Sequence, residues 1–320
     1  MADVGQDIIR AKRILEEGGL VAIPTETVYG LAGNALNDQA VTNIFEAKNR
    51  PSFDPLIVHV ANIFQAEQFV EDIPNEARKL AEAFWPGPLT LLLKKKDTIS
   101  DLVTSGLDTV AIRVPAQTLT RNLLASLDFP LAAPSANPFG YVSPTKAAHV
   151  NEQLSDRLDY ILDGGDCEVG LESTIVSFVS EQPKVLRLGG LSVEAIEQVI
   201  GSVEVTIHSS SSPAAPGMLK SHYAPRKPVI LKKVFDQESK ENIDEIGALM
   251  FNAYMDDIPV ENQFLLSASG DLNVGARRLF LGLRTLDQNE NIKVIVTDFV
   301  PNEGLGRAIN DRIKRATAKS

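Results

Sequence analysis

Short apolar runs alternate with stretches whose apolar residues recur at helical spacing, and this alternation fills the first two hundred positions. Val4, Ile8, Ala11, Ile14 and Leu15 predict a helix over residues 4–17, with Asp3 as its N-cap and Gly18-Gly19 as its end. Leu20–Ile23 then reads as a buried strand. Asp38 can cap a helix that carries Val41, Ile44 and Phe45 on one face and stops before Pro51. Leu56–Val60 predicts a strand, and two helices follow, the second ending at Trp85-Pro86-Gly87-Pro88. Further strands are expected at Leu89–Leu93 and Thr109–Val114, with a helix over Thr118–Ser126. Pro130–Asn137 reads as a short strand breaking into a turn of small residues. Ser143-Pro144-Thr145 opens a helix with proline near its start. Strands at Tyr160–Leu162, Ser173–Val179 and Val185–Leu188 and a helix at Val193–Ile200 close the series. Strands and helices interleaved in this way predict one α/β domain over residues 1–207.

The composition then shifts. Ser209–Ser212 and Pro213-Ala214-Ala215-Pro216-Gly217 form a linker by composition. Its continuation, Met218 to Pro225, carries Lys220, His222 and Tyr223 and reads as a docking segment, so residues 208–227 are expected to act as linker and lid. From residue 228 the pattern restarts with strands at Val229–Leu231, Ile246–Phe251, Phe264–Leu266 and Val294–Val296. A helix capped by Asp271, with Leu279, Phe280 and Leu283 on one face, and a final helix from Leu305 to Ala316 complete a smaller Rossmann-like α/β domain over 228–320.

At roughly 150 residues per domain, 320 residues also suggest two domains. The 44% hydrophobic content supplies a core without disulfides or a structural metal. A single cysteine, Cys167, and histidines at 59, 149, 208 and 222 show no metal-ligand spacing. The N-terminus lacks a leader pattern and no apolar run reaches membrane-spanning length, so a cytoplasmic protein without membrane contact is expected. A formal charge of −11 argues against strong standing affinity for nucleic acid.

Candidate chemistry sits at the strand exits. Thr27, His59, Arg113, Ser135 and Ser173 stand where apolar residues would serve the fold, with Lys48 and Arg50 at a helix end. Arg113 within a strand requires a partner, either a structural carboxylate or a bound anion. His59 alone could be a satisfied core residue, and Thr25 and Thr27 could simply bond a local turn. No G-x-x-x-x-G-K-[ST] loop is present, and Gly304-Leu305-Gly306 does not follow a strand directly. A nucleotide would therefore have to be held by cationic side chains and hydroxyls. No G-x-S-x-G supports a hydrolase.

The run Pro24-Thr25-Glu26-Thr27-Val28-Tyr29-Gly30-Leu31 resembles the YrdC-like family. So do Lys48-x-Arg50-Pro51 with Pro55-Leu56 and His59, and Pro86-Gly87-Pro88 with Thr90. Thr109 to Pro115, Ala133-Pro134-Ser135-Ala136-Asn137, Ser173-Thr174-Ile175 and Arg187 before Gly189-Gly190 follow in the family's order. The linker and second domain are similar to the longer members, the threonylcarbamoyl-AMP synthases. The resemblance implies a twisted mixed sheet with helices. It also implies an enzyme joining L-threonine, bicarbonate and ATP to threonylcarbamoyl-AMP and pyrophosphate, for modification of the tRNA adenosine beside the anticodon.

Carried over by residue, the resemblance places Thr27, His59, Arg113, the backbone at Ala133, and Ser173 around threonine. It places Arg50, Asp54, Thr109, Ser135, Asn137, Ser143, Arg187 and Tyr223 around ATP, with Lys48, Arg50 and Arg113 as the catalytic group. Asp54 stands where members more usually carry Asn, and Tyr223 is expected to fold over the nucleotide. Magnesium is implied as a companion of ATP, and the product would pass to a tRNA threonylcarbamoyl transfer complex, with weak or transient contact to tRNA itself. Two rivals differ in class: an RNA-binding YrdC-like module without chemistry, which the acidity disfavours, and a carbamoyltransferase, whose zinc-finger and acylphosphatase-like parts are lacking here.

Overall fold

In the computed structural model, residues 1–207, 223–236 and 242–318 are described. Of the expected linker and lid at 208–227, residues 208–222 lie outside them. The chain divides into two compact units. The first comprises Met1–Phe139, Pro144–Glu168 and the described residues from Glu172 to 207; the second comprises Gly140–Ser143, Val169–Leu171 and the described residues from 223 onward.

The first unit is built on an eleven-stranded mixed sheet. In chain order its elements are β1 (Asp3–Gly5), α1 (Ile8–Glu16), β2 (Val21–Ile23), β3 (Gly30–Asn34), α2 (Asp38–Lys48), β4 (Ile57–His59), α3 (Ile63–Ala66) and α4 (Asn75–Phe84). There follow β5 (Leu89–Lys94), α5 (Asp101–Thr104), β6 (Thr109–Arg113), α6 (Thr118–Ser126), β7 (Leu131–Ala132) and α7 (Ala147–Leu154). The unit closes with β8 (Tyr160–Leu162), β9 (Thr174–Ser177), β10 (Lys184–Arg187), α8 (Val193–Ile200) and β11 (Glu204–Val205). The strands lie in the order β1-β8-β2-β3-β7-β4-β6-β5-β9-β10-β11.

Three sequence expectations change. The first helix starts at Ile8 rather than at residue 4, capped by Asp7, whose carboxylate accepts from the N–H groups of Ile9 and Arg10. Residues Asp3–Gly5 instead pair in parallel with Tyr160–Leu162, a partner that local periodicity does not reveal. Asp38 is the first helical residue of α2 and Asn37 is its cap. Pro144 opens no helix; α7 starts at Ala147.

The pairing directions explain where the polar residues gather. β4 runs parallel to β6, β5 runs antiparallel to β6 and parallel to β9, and β10 runs antiparallel to β9. One edge of this part of the sheet therefore carries the ends of β4, β6 and β10 and the beginnings of β5 and β9. On the sheet's other portion, Ala11, Leu15, Val21, Ile23, Leu123, Leu124 and Tyr160 form a core beneath α1 and α6. That core is supplied by strands uniformly buried along their length, as expected where helices cover the sheet.

The second unit holds a four-stranded sheet of β12 (Val229–Leu231), β13 (Ile246–Met250), β14 (Gln263–Leu265) and β15 (Val294–Thr297), ordered β12-β15-β13-β14 with every pairing parallel. Its helices are α9 (Lys232–Phe235), α10 (Leu272–Gln288) and α11 (Gly306–Ala316). Asp271 caps α10 as expected, and Leu279, Phe280 and Leu283 are buried. The all-parallel order fits the Rossmann-like expectation for this half.

Candidate active site

Arg113 is the last residue of β6, and its register partner on β4 is His59. Both are buried. The arginine is held on three sides: Nε donates to Gly87 O at 3.2 Å, one Nη to Thr27 Oγ1 at 2.9 Å, and the other to Glu26 Oε1 at 2.5 Å. Glu26 turns its second oxygen to the Ala116 N–H at 2.9 Å. Of the two partners open to Arg113, a structural carboxylate or a bound anion, the structure supplies the carboxylate, and three of its five N–H groups are engaged among the described residues.

Thr25 and Thr27 also resolve into two roles. Thr25 Oγ1 bonds Val28 O at 2.6 Å and accepts from the Thr27 and Val28 N–H groups, which is the local turn. It also shares a hydrogen bond with Thr27 Oγ1 at 2.7 Å, directing the Thr27 hydroxyl toward Arg113. His59 Nδ1 lies 3.3 Å from Ile57 O. Burial, aided by the Arg113 charge, pushes its pKa down to about 3, so the imidazole is neutral at physiological pH.

Ser173 immediately precedes β9 and is buried. Its Oγ accepts from Arg187 Nη2 at 3.0 Å and shares a hydrogen bond with Thr90 Oγ1 at 2.7 Å. Arg187 Nε also donates to Ser173 O at 3.0 Å. Gly189 permits this closeness, since a Cβ there would fall 2.3 Å from Glu172 O and 2.4 Å from the Ser173 carbonyl carbon. Thr90 on β5 is paired with Ile175 on β9 and stands one step beyond the Leu91–Ile112 pair, which places it opposite Arg113.

A second group forms at the end of α2. Asn49 takes a left-handed conformation (φ 52°) that ends the helix, turning the chain into Arg50. Arg50 Nε donates to Asp54 O at 3.0 Å and Nη2 to Pro55 O at 2.9 Å, and Nη2 lies 2.9 Å from Asp54 Oδ2. Lys48 is fully buried, and its Nζ donates to Ser135 O at 2.5 Å and to Asn137 O. Burial and the neighbouring Arg50 charge push the lysine pKa well down. The turn it fastens is closed by Asn137 N to Ser135 O at 3.0 Å, and Asn137 Nδ2 donates to Pro138 O at 2.8 Å. Burial pushes Asp54 up from the usual carboxylate range, against the opposing pull of Arg50, Lys48 and Arg187. Those opposing influences put Arg187 in the same electrostatic group as Lys48 and Arg50.

Most of the residues assigned by resemblance therefore fall into two linked groups: Thr27, His59 and Arg113; and Lys48, Arg50, Asp54, Ser135, Asn137 and Arg187, with Ser173 bonded to the last. Ala133 is buried beside Gly30, and its N–H donates to Ile57 O at 2.9 Å. Thr109 begins β6, at the opposite end of that strand from Arg113, about 13 Å away by strand rise. Ser143 and Tyr223 belong to the second unit. There, Arg284 Nε donates to Ser143 O at 3.4 Å, and the Tyr223 ring lies between Phe280, at 5.5 Å between centroids, and the Arg312 guanidinium, at 5.0 Å. Glu26 and Thr90 stand inside quoted motifs, yet sequence reasoning gave neither a role. A carboxylate directly beside the strand-exit residue Thr27 is the available signal for Glu26; nothing local marks Thr90.

Comparisons with known proteins identify the family. Residues 13–189 match the Sua5/YciO/YrdC family, described as "Telomere recombination", and residues 191–318 match "Threonylcarbamoyl-AMP synthase, C-terminal domain". The threonylcarbamoyl-AMP synthase of Pyrococcus abyssi is 41% identical over 96% of this chain and 93% of its own. That of Bacillus subtilis is 40% identical over 97% and 92%. The crystal structure of P. abyssi Sua5 complexed with L-threonine superposes with a TM-score of 0.91 at 39% identity, covering 99% of this chain and 97% of that one. The chain belongs to the threonylcarbamoyl-AMP synthase family, in the two-domain form that carries the family's C-terminal domain.

Proposed function

We propose that the Arg113 group binds L-threonine and that the Lys48–Arg50–Arg187 group binds the phosphates of ATP, with Ser173 at their junction. The activity is that of the family: a nucleotidyltransferase joining threonine, bicarbonate and ATP to threonylcarbamoyl-AMP and pyrophosphate. The observation carrying the assignment of sites is the continuous path from Arg113, past Thr90 on the adjacent strand, through Ser173 to Arg187. Threonine bound in the P. abyssi relative supports an amino-acid subsite in this fold.

The chemistry suits such a site. The threonine amine attacks the carbon of bicarbonate, water leaves, and a carbamate oxygen then attacks the α-phosphorus as pyrophosphate departs. All the reactants bring anionic groups together, so holding them in line is the main task. Arg113, pinned by Glu26, Thr27 and Gly87, offers its remaining N–H groups to the threonine carboxylate in a fixed orientation. Neutral His59 beside it adds no second charge and can hydrogen-bond a polar ligand group. Arg50 and Arg187 offset charge on the transferring nucleotidyl group. Lys48 fastens the Ser135–Asn137 turn and so sets where the Ser135 hydroxyl stands.

Magnesium would accompany the triphosphate. Asp54 is already ion-paired with Arg50 and lies in the field of two further cations, which makes it a poor cage for a hard dication. The product would pass to a tRNA threonylcarbamoyl transfer step. The alternative of an RNA-binding module without chemistry is set aside by near-full-length similarity to synthases.

The test is release of pyrophosphate from ATP. Release that requires both threonine and bicarbonate, and that Arg113→Ala abolishes, supports the proposal. Release that is indifferent to either substrate overturns it.

A further inference from the structure

Asp54 is fully buried, and among the described residues neither carboxylate oxygen has a hydrogen-bond partner. Its ion pair with Arg50 Nη2 at 2.9 Å is the close charged contact it makes, and Lys48 and Arg187 act on it from α2 and β10. A buried carboxylate normally collects several donors. This one contributes charge but almost no directional bonding. Nor is it needed to aim Arg50, which main-chain oxygens of Asp54 and Pro55 already hold through Nε and Nη2. The arrangement fits an anion placed among cations so that they are not left uncompensated.

We propose that Asp54 is a stand-in anion: its carboxylate neutralises the Lys48–Arg50–Arg187 cluster while no phosphate is present, and yields those cations when nucleotide enters. It stabilises the empty enzyme and weakens its hold on ATP and pyrophosphate. The proposal rests on reading this cluster as the phosphate site. Its physical basis is competition. One carboxylate and an incoming phosphate share the same cations, and like charges brought together in a dry site oppose each other strongly. The functional return is release of pyrophosphate, which a cluster of uncompensated cations would retain.

The experiment compares wild type with Asp54→Asn, which keeps shape and removes charge, and Asp54→Glu, which keeps charge. Calorimetric titrations use pyrophosphate and an ATP analogue with a methylene bridge between its α- and β-phosphates, at fixed magnesium, together with thermal melting of the ligand-free protein. Asp54→Asn is expected to bind both ligands at least about fivefold more tightly while the empty protein melts at a lower temperature. Asp54→Glu is expected to keep the weaker affinity of wild type. Opposite signs for the two readouts are the signature, because a residue that merely maintained the fold would lower both. If Asp54→Asn binds the ligands more weakly, Asp54 is a direct contact and the proposal fails. Arg187→Met provides the separate control. If it loses ligand affinity while Asp54→Asn leaves affinity unchanged, the phosphate site stands and the stand-in role falls. If neither change alters affinity, the reading of the cluster falls as well. Should Asp54→Asn not fold without ligand, purification in the presence of pyrophosphate followed by measured dissociation rates gives the same comparison, with slower release expected and unchanged or faster release contradicting it.

Discussion

Arg187 holds Ser173 twice, through Nη2 to the side-chain oxygen and through Nε to the main-chain oxygen, each at 3.0 Å. Arginine can only donate, so the Ser173 hydroxyl spends an acceptor lone pair on it. The remaining hydrogen bond, to Thr90 at 2.7 Å, joins two hydroxyls and uses one of their two protons. Among the described residues, one proton of the pair is then left for an acceptor. A threonine carboxylate or a bicarbonate-derived oxygen at this junction would provide it.

Thr90→Val removes one hydroxyl while nearly preserving volume. Losing a buried hydrogen bond of about 1 kcal/mol should raise the threonine KM about fivefold, with a smaller effect on the ATP KM. Thr90→Ser should restore the wild-type value. Steady-state titration of each substrate checks both expectations, and equal behaviour of the valine and serine variants would remove the hydroxyl from the account.

Glu26 is the buried partner of Arg113, with side-chain exposures of 6% and 4%. Glu26→Ala leaves a buried guanidinium uncompensated and should destabilise the protein by about 3–5 kcal/mol. Chemical denaturation measures this loss. Glu26→Gln should cost less and raise the threonine KM, because Arg113 then loses a charged anchor but keeps Thr27 and Gly87.

His59 has a folded-state pKa of about 3, below the ordinary histidine value. The unfolded chain therefore binds a proton that the folded one refuses as pH falls below about 6.5, and this site costs stability progressively down to about pH 3. Replacement by Gln should make stability less sensitive to pH across that window. Melting temperatures measured from pH 7 down to pH 4.5 test the sign: the gap between variant and wild type should move in favour of the variant on acidification.

Tyr223 has a left-handed backbone (φ 61°) and a buried ring between Phe280 and Arg312. This packing predicts that Tyr223→Ala loses about 3–5 kcal/mol of stability, the range for truncating a large buried aromatic. Tyr223→Phe should keep most of the stability. Urea titration followed by a probe in the second unit distinguishes the two variants.

Much of this site could be read from the chain because strand exits announce themselves. Arg113 and His59 break apolar strands where only function or an ion pair justifies polarity, and the structure makes them register partners. Thr27 was identified by the same logic. What escaped detection depends on contacts far apart in sequence. Thr90 matters because β5 lies between β6 and β9, and that order is a property of the sheet rather than of any local window. Val4 and Gly5 read as the start of a helix because the pairing partner that makes them a strand lies at Tyr160–Leu162. Ser143-Pro144 imitates a helix start, but the chain turns there and α7 begins at Ala147. Gly189 was noted as part of a motif, and its need to lie against the backbone of Ser173 emerged only in three dimensions.

The central claim is a division of labour between two groups that meet at Ser173, and calorimetry on two variants tests it most directly. Arg113→Met and Arg187→Met are each titrated with threonine and with the methylene-bridged ATP analogue. The account predicts that Arg113→Met loses threonine binding and retains the nucleotide, whereas Arg187→Met loses the nucleotide first. Loss of the same ligand in both variants, or of neither, would contradict it.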